Sequence, residues 1–310
     1  MHRLTLRVTS LDDPHQRAGF DRIVRASTMI DGQPPFSDQS HIDVASGART
    51  LIFAVEPQDP PAELSDFAVI GAAVLGQGEL EFVVDPEWRG NGYGTKALGG
   101  ILASCSPTVK VWAHGDHPAS RRLAAAFGFE AIRTLLQLRI PGGSAAIASP
   151  LASGDANRVR ADITIRPFRQ GTDDAAWIAL NALAFASHPE QGRMTLADLR
   201  ARQAEPWFDA DDFLLAWDAD GQLIGSNWLK VDGSEGEIYA IGVHPDAAGR
   251  GIGRALMEAG LRRLAEHDLE TIALYVEADN TAAVGLYRSL GFTDHTIDVQ
   301  YARPSLPEPA

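Results

Sequence analysis

One cysteine, Cys105, stands in 310 residues, so no intrachain disulfide can form and the chain suits a reducing compartment. Its neighbours are small and apolar, which reads as a structural thiol. Basic residues are scarce beside acidic ones, 27 against 41, for a formal net charge of −14. A nucleic-acid backbone needs Lys and Arg to displace its counterions, so nucleic acid is not an expected partner. No apolar run reaches the roughly 18 residues of a membrane span, and the opening MHRLTLRVTS lacks a signal-type apolar core. No membrane partner is expected, and the protein is expected in the cytoplasm. What the chain does have is apolar material, 45% of its residues. Its length exceeds what one core usually organises, which predicts two domains of about 150 residues each.

Residues 141–162, PGGSAAIASPLASGDANRVRAD, carry Gly, Ala, Ser and Pro without apolar periodicity and read as a linker. The expected division is therefore an N-terminal domain over 1–140 and a C-terminal domain over 163–310. The two halves repeat one another. DPEWRGNGYG from Asp85 aligns with HPDAAGRGIG from His244 at an offset of 159, and VWAHGDHPASRRLAAAFGF from Val111 aligns with LYVEADNTAAVGLYRSLGF from Leu274 at 163. Each half opens with an alternating strand (LTLRV; ITIRPF) and a helix such as DDAAWIALNALAFASH. Strands LIFAVE or FLLAWD follow, then FAVIGAAVLG or QLIGSNWLKV, then ELEFVVD or GEIYAIGV running into a Gly-rich turn and helix. A fifth strand, a last helix and a closing strand complete each copy. The pattern predicts an α+β fold, a mixed sheet with helices on both faces.

The order strand, glycine turn, helix suits an anion. Gly90, Gly92 and Gly94 in the first copy, and Gly249, Gly251 and Gly253 in the second, permit backbone conformations that other residues resist. The N–H groups and positive dipole end of the next helix would receive a pyrophosphate. A tight turn with no ligand is the alternative. A dinucleotide fingerprint is disfavoured, because this strand comes late in its unit and no acidic residue follows at the required place.

The second copy reads VHPDAAGRGIG and then NTAAVGLYRSLGF, a pair of motifs that resembles the GCN5-related N-acetyltransferases. The resemblance implies two tandem copies of that fold, mostly antiparallel, with acetyl-CoA as cosubstrate and no metal. It implies that the strand amides of Ile241, Gly242 and Val243 hold the thioester and pantetheine arm. The pyrophosphate turn would be Ala248, Gly249, Arg250, Gly251, Ile252, Gly253 and Arg254, and the CoA arm would run along Asn280, Thr281, Ala282, Ala283, Val284 and Gly285. In the first copy the counterparts are Phe82, Val83 and Val84, with Arg89, Gly90, Asn91, Gly92, Tyr93, Gly94 and Thr95. The first turn position, usually Gln or Arg in the family, is Ala248 in the second copy and Arg89 in the first. Since backbone amides do most of the anion binding, weaker side-chain support is expected there and not loss of the site.

Amide formation from a thioester needs a free amine and a proton for the leaving thiolate. Glu237, just before the strand YAIGV, is positioned to take the ammonium proton directly or through water, and Tyr287 is suited to protonate the thiolate. The competing readings are a solvated strand residue and a core aromatic. In the first copy, Ala124 aligns with Tyr287, His117 with Asn280 and Gly78 with Glu237, so that copy is expected to be catalytically inactive and either to bind CoA or merely to support the fold. His114 and His117 flank Asp116 and read either as a dyad or metal pair or as an ordinary strand-to-helix turn with Asp as a cap.

PFSDQS, VWAHGDHPASRRLA, AFASHPEQGRMT, EPWFD and GEIYAIGVHP further resemble one tandem subgroup of that family, the members that acetylate the cysteinyl amine of cysteinyl-glucosaminyl-inositol. That resemblance carries the acceptor-binding role to Asp38, Glu190, Lys230, Glu237 and Tyr275, and implies a small-molecule acceptor; a monomer is expected. Trp207 and Trp228 read as walls for sugar faces or as core. Two rivals stay open: an acetyltransferase for a protein N-terminus or a drug amine, which would not require HPEQG and EPWFD, and a non-catalytic acetyl-CoA sensor, which would not need Glu237 with Tyr287.

Overall fold

The computed structural model describes residues 4–56, 68–143, 163–186 and 191–303; most of the expected linker, 144–162, lies outside them. The chain forms two compact units, one of Met1–Leu135 with Thr296–Ala310 and the other of Leu136–His295.

The first unit runs β1 (Thr5–Thr9), α1 (Pro14–Asp31), α2 (Asp38–Ser46), β2 (Thr50–Val55), β3 (Val69–Gly76), β4 (Glu79–Val84), α3 (Tyr93–Leu102), β5 (Lys110–His114), α4 (Pro118–Ala126) and most of β6 (Glu130–Pro141). The second begins with the end of β6. It continues β7 (Ile163–Pro167), α5 (Asp174–Ala184), α6 (Leu196–Gln203), β8 (Phe213–Asp218), β9 (Leu223–Asp232), β10 (Glu235–Val243), α7 (Ile252–Leu264), β11 (Thr271–Glu277), α8 (Thr281–Ser289) and the start of β12 (Thr293–Ala302). Strand order is β1-β2-β3-β4-β5-β12 in the first unit and β6-β11-β10-β9-β8-β7 in the second. Both are mixed sheets: the β4–β5 and β10–β11 pairs are parallel and the meanders antiparallel.

Each sheet is completed by a strand from the other half of the sequence, so the two units exchange their closing strands relative to the expected division at 140 and 163. Residues 298–301 of β12 pair with β5, Asp298 opposite His114, while Leu138 and Ile140 of β6 join the core of the second unit. That core packs Met257, Leu261 and Leu264 of α7 and Val284 and Tyr287 of α8 on Ile238, Ile272 and Leu274 of the sheet. The opposite face carries a mainly aromatic cluster of Phe168, Trp177, Phe213 and Trp228. Buried at 0–3% exposure, these rings give the sheet a rigid floor on the α5 and α6 side. Among the described residues, no helix is long and apolar enough to cross a membrane.

Candidate active site

In the second unit, β10 pairs with β9 from Glu235–Asp232 to Val243–Gly225 and slips by one residue between Ile238 and Ala240, leaving Tyr239 as a bulge. On its other edge it pairs with β11 for only four residues, the last being Ile238 with Leu274. Beyond that point the strands part, as bulges commonly dictate. Residues 239–243 therefore have no ladder partner on that edge among the described residues, and Ile241, Gly242 and Val243 line the gap. A Cβ on Gly242 would stand 3.0 Å from Ala184 Cβ and 3.0 Å from Phe185 Cε2, so this glycine also lets the end of α5 close on the strand.

Past a 3-10 turn at Pro245–Ala247, the chain reaches Gly249 (φ 75°) and Gly251 (φ 81°). Gly251 is the cap of α7, with no side-chain bond to the first turn. Helices α1, α2, α6 and α8 begin instead on Asp13, Ser37, Thr195 and Asn280, whose side chains accept from first-turn amides. Among the described residues, only α3 and α7 start on a left-handed glycine, Gly92 and Gly251, which leaves the N–H groups of the first turn available to an anion. Gly94 and Gly253 differ from the other turn glycines. Neither has a positive φ, and a Cβ at Gly253 would make ordinary contacts of 3.8 Å.

Register places three of the residues expected to bind the acceptor on one sheet face. Glu237 lies opposite Lys230 on β9 and Ala273 on β11, and Tyr275, two residues beyond Ala273, shares its face by strand alternation. Tyr275 is 45% exposed, and its hydroxyl accepts from Gln137 Nε2 at 2.6 Å. Lys230 Nζ sits 5.6 Å from the Trp207 ring centre. Trp207 is half-buried, whereas Trp228 is fully buried, so of the two only Trp207 can serve as a wall. Tyr287 is buried in the core beside Phe292, and burial pushes its phenol up to about 12. A group that holds its proton this tightly is protonated at neutral pH.

Other expected residues divide. Asn280 Oδ1 accepts from Ala283 N at 3.2 Å, which makes it the cap of α8. Thr281, Ala282 and Gly285 are exposed, Ala283 is half-buried, and Val284 belongs to the core. Ile252 is also core, Ala248 follows the 3-10 turn, and Arg254 reaches Ser289 Oγ at 2.6 Å. Glu190 lies outside the described residues, as does the side chain of Asp38, which opens α2 in the first unit.

The first unit corrects one alignment. Its β4–β3 ladder runs from Val84–Gly71 to Glu79–Gly76 without a bulge, and Glu79 pairs with Lys110 on β5 as Glu237 pairs with Ala273. The residue in the place of Glu237 is therefore Glu79 and not Gly78, because bulged Tyr239 adds one residue to β10. Glu79 accepts from Arg49 Nη2 (3.2 Å), Trp112 Nε1 (3.3 Å) and Gln300 Nε2 (2.8 Å), so both of its oxygens are already engaged. Ala124 does stand where Tyr287 stands, both being the seventh residue of a nine-residue helix and both buried. Arg89 is also committed, forming a bidentate bond to Asp31 at 2.6 and 2.7 Å. Of the remaining turn residues, Asn91 bonds the Arg89 carbonyl and Tyr93 packs edge-on against Trp88.

The HGDHP segment is the end of β5 and a turn whose helix cap is His117, not Asp116. Asp116 instead accepts from Tyr301 and Arg121. His114 Nδ1 lies 3.2 Å from Asp298, and its Nε2 lies 3.7 Å from Glu81. Glu81 is buried and accepts from the Ser37 amide and from the Ser37 and Ser40 hydroxyls. Burial alone would lower His114, but the hydrogen bonds and charges of Asp298 and Glu81 outweigh it and lift the imidazole to about 9. Burial would likewise raise Glu81, yet His114, Ser37 and Ser40 hold it below the ordinary range. Because the His114 value is raised on folding from 6.5 to about 9, its stabilisation is complete below 6.5 and lost as pH rises through 9. The thermal midpoint of the wild-type chain should fall between pH 6.5 and 9.5, and that of His114→Gln should be lower at pH 6.5 and nearly flat. Parallel curves would contradict a charged His114. Among the described residues, no group of three or more His, Cys, Asp or Glu side chains could hold a metal ion.

Residues 177–292 match the model of the Acetyltransferase (GNAT) family. The chain is 48% identical over 280 residues to a mycothiol acetyltransferase of Clavibacter sepedonicus, covering 88% of this chain and 87% of that protein. It is 42% identical over 311 residues to one of Thermobispora bispora, covering 97% and 100%. Among solved structures, a GCN5-related N-acetyltransferase from Sphaerobacter thermophilus superposes with a TM-score of 0.67 at 20% identity, covering 98% of this chain and 97% of that one. A tandem GNAT protein of the clavulanic acid biosynthesis pathway gives 0.66 at 16%, covering 98% and 100%. These distant structures share the fold, and the relatives alike along both halves settle the lineage: the chain belongs to the mycothiol acetyltransferase family, with the GNAT pattern in its second half.

Proposed function

We propose that the chain moves the acetyl group of acetyl-CoA to the cysteinyl amine of cysteinyl-glucosaminyl-inositol, the last step of mycothiol biosynthesis, and that the chemistry takes place in the second unit. The observation that carries this reading is the 48% identity over 88% of the chain to a mycothiol acetyltransferase. The geometry supplies the parts. The gap between β10 and β11 accepts an extended arm whose amides continue the ladder of β10. The glycine start of α7 receives the pyrophosphate with backbone N–H groups. Glu237 faces the acceptor side beside Lys230 and removes the ammonium proton, directly or through water, which frees the lone pair to attack the thioester carbonyl. The tetrahedral intermediate then expels the thiolate, which takes a proton from Tyr287, while the second proton on the nitrogen is released to water as the amide forms and solvent restores the phenol.

The first unit keeps the same glycine start at Gly92, with the strand amides of Phe82, Val83 and Val84 before it. It binds acetyl-CoA without turnover, since Ala124 replaces the donor and Glu79 is held by three donors of its own. The 1–140 and 163–310 halves thus divide into a silent copy and a working one, acting as a monomer in the cytoplasm.

Tyr287→Phe should slow the acetyl-transfer step about 10²-fold, the scale of lost general-acid help, with acetyl-CoA affinity little changed. Unchanged single-turnover transfer would make the phenol a packing residue only. The acceptor itself is tested by competition: the enzyme is given acetyl-CoA with equimolar cysteinyl-glucosaminyl-inositol, free cysteine and a lysine peptide. Consumption of the sugar-bearing acceptor first is expected, and preferential acetylation of the peptide would overturn the reading.

A further inference from the structure

The acceptor side of the second unit holds a cation that neither the proton chemistry nor the cofactor cleft uses. Arg202, in the last turn of α6, places its guanidinium 5.7 Å from the centre of the Tyr239 ring, where its charge bears on the phenol. Its Nε is buried and has no hydrogen-bond partner among the described residues. An unfilled buried donor is costly, and it persists most readily where something else supplies the acceptor. Tyr239 is the bulge residue itself, two positions from Glu237. Its ring meets Trp207 at 5.1 Å and Trp228 at 5.3 Å.

Trp207 and Tyr239 are therefore half-buried rings set against a fully buried one. Arg202 stands over one ring, and Lys230 Nζ lies 5.6 Å from the other. Glu237 and Glu205 are close enough for their charges to act on the Tyr239 phenol. A pyranose matches this arrangement, since its C–H face lies on an aromatic ring and its rim hydroxyls accept from cations. A lysine side chain or basic peptide would meet two like charges instead, and an apolar amine would have no use for either cation.

We propose that Arg202 is a specificity-determining acceptor residue: with Lys230 it donates to the rim hydroxyls of a sugar laid on Trp207 and Tyr239, leaving the ammonium to Glu237. This rests on the sugar-bearing acceptor proposed above.

The test compares cysteinyl-glucosaminyl-inositol with cysteine methyl ester, which has the amine and thiol but no sugar, in the wild-type chain, Arg202→Met and Arg202→Lys. For Arg202→Met the KM for the sugar acceptor should rise about tenfold or more, the scale of one charged hydrogen bond, with kcat within about twofold. Acetyl-CoA affinity by calorimetry and kcat/KM for the methyl ester should stay unchanged, and Arg202→Lys should recover part of the loss. Equal losses on both acceptors, or no change on either, would overturn the proposal. Tyr239→Phe keeps the ring under the guanidinium and removes the phenol oxygen; it should raise the same KM by a smaller factor, and it carries the test if Arg202→Met does not fold. A wild-type chain that acetylates the methyl ester but ignores the sugar acceptor would reject the proposed acceptor as well, a result distinct from failure of Arg202 alone.

Discussion

Gly251→Val is expected to abolish measurable turnover, while Gly92→Val leaves most of it. Both glycines cap a helix in the left-handed region, at φ 81° and 78°, which a β-branched residue adopts only with strain of about 1–2 kcal/mol. Neither has a neighbour within 4 Å of a built Cβ, so the side chain would not disrupt the core. It would point into open space at the helix start, and the turn would move the N–H groups that receive the pyrophosphate. Strain of that size shifts a domain's stability without unfolding it, which a melting curve verifies for each variant. Calorimetry with acetyl-CoA should then show one class of binding sites lost in each variant, and turnover lost in only one. Loss of turnover in Gly92→Val with retention in Gly251→Val would move the active site to the first unit.

Glu237→Gln should lower kcat/KM about 10²- to 10⁴-fold near neutral pH, the range of a removed general base. The amide is nearly isosteric and sits between Lys230 and Ala273 in the ladder, so acetyl-CoA affinity should hold. The defect should also depend on pH in a definite direction. An α-amine has a pKa of about 8, so as pH rises past that value the acceptor deprotonates without help and the deficit of the variant should shrink. A deficit constant from pH 6.5 to 9.5 would mean that the carboxylate positions the acceptor and does not take its proton.

The order of elements was legible because strand alternation and the glycine turn are local signals, repeated twice in one chain. The bulge at Tyr239 was not, since a single extra residue inside a strand leaves no mark on composition and hides within an otherwise steady offset; that is why Gly78 was paired with Glu237 when Glu79 holds its place. The placement of β12 beside β5 and of β6 in the second sheet depends on pairing between residues far apart in the chain, which periodicity cannot express. Side-chain commitments were equally hidden. Arg89 looks free for a phosphate until Asp31 is seen to hold it, and Trp228 stands undecided between pocket wall and core until its burial is known. Helices α2 and α6 are nine and eight residues long, too short for a clear apolar period, so the part of the acceptor side contributed by Arg202 could not be read in advance.

The most direct test of the central claim is the identity of the product formed from acetyl-CoA and cysteinyl-glucosaminyl-inositol, followed by mass spectrometry before and after alkylation of free thiols. One acetyl group gained, with the thiol still open to alkylation, is the result expected for transfer to the amine by the second unit. An acetylated product that resists alkylation, or none beyond the uncatalysed background, would contradict it.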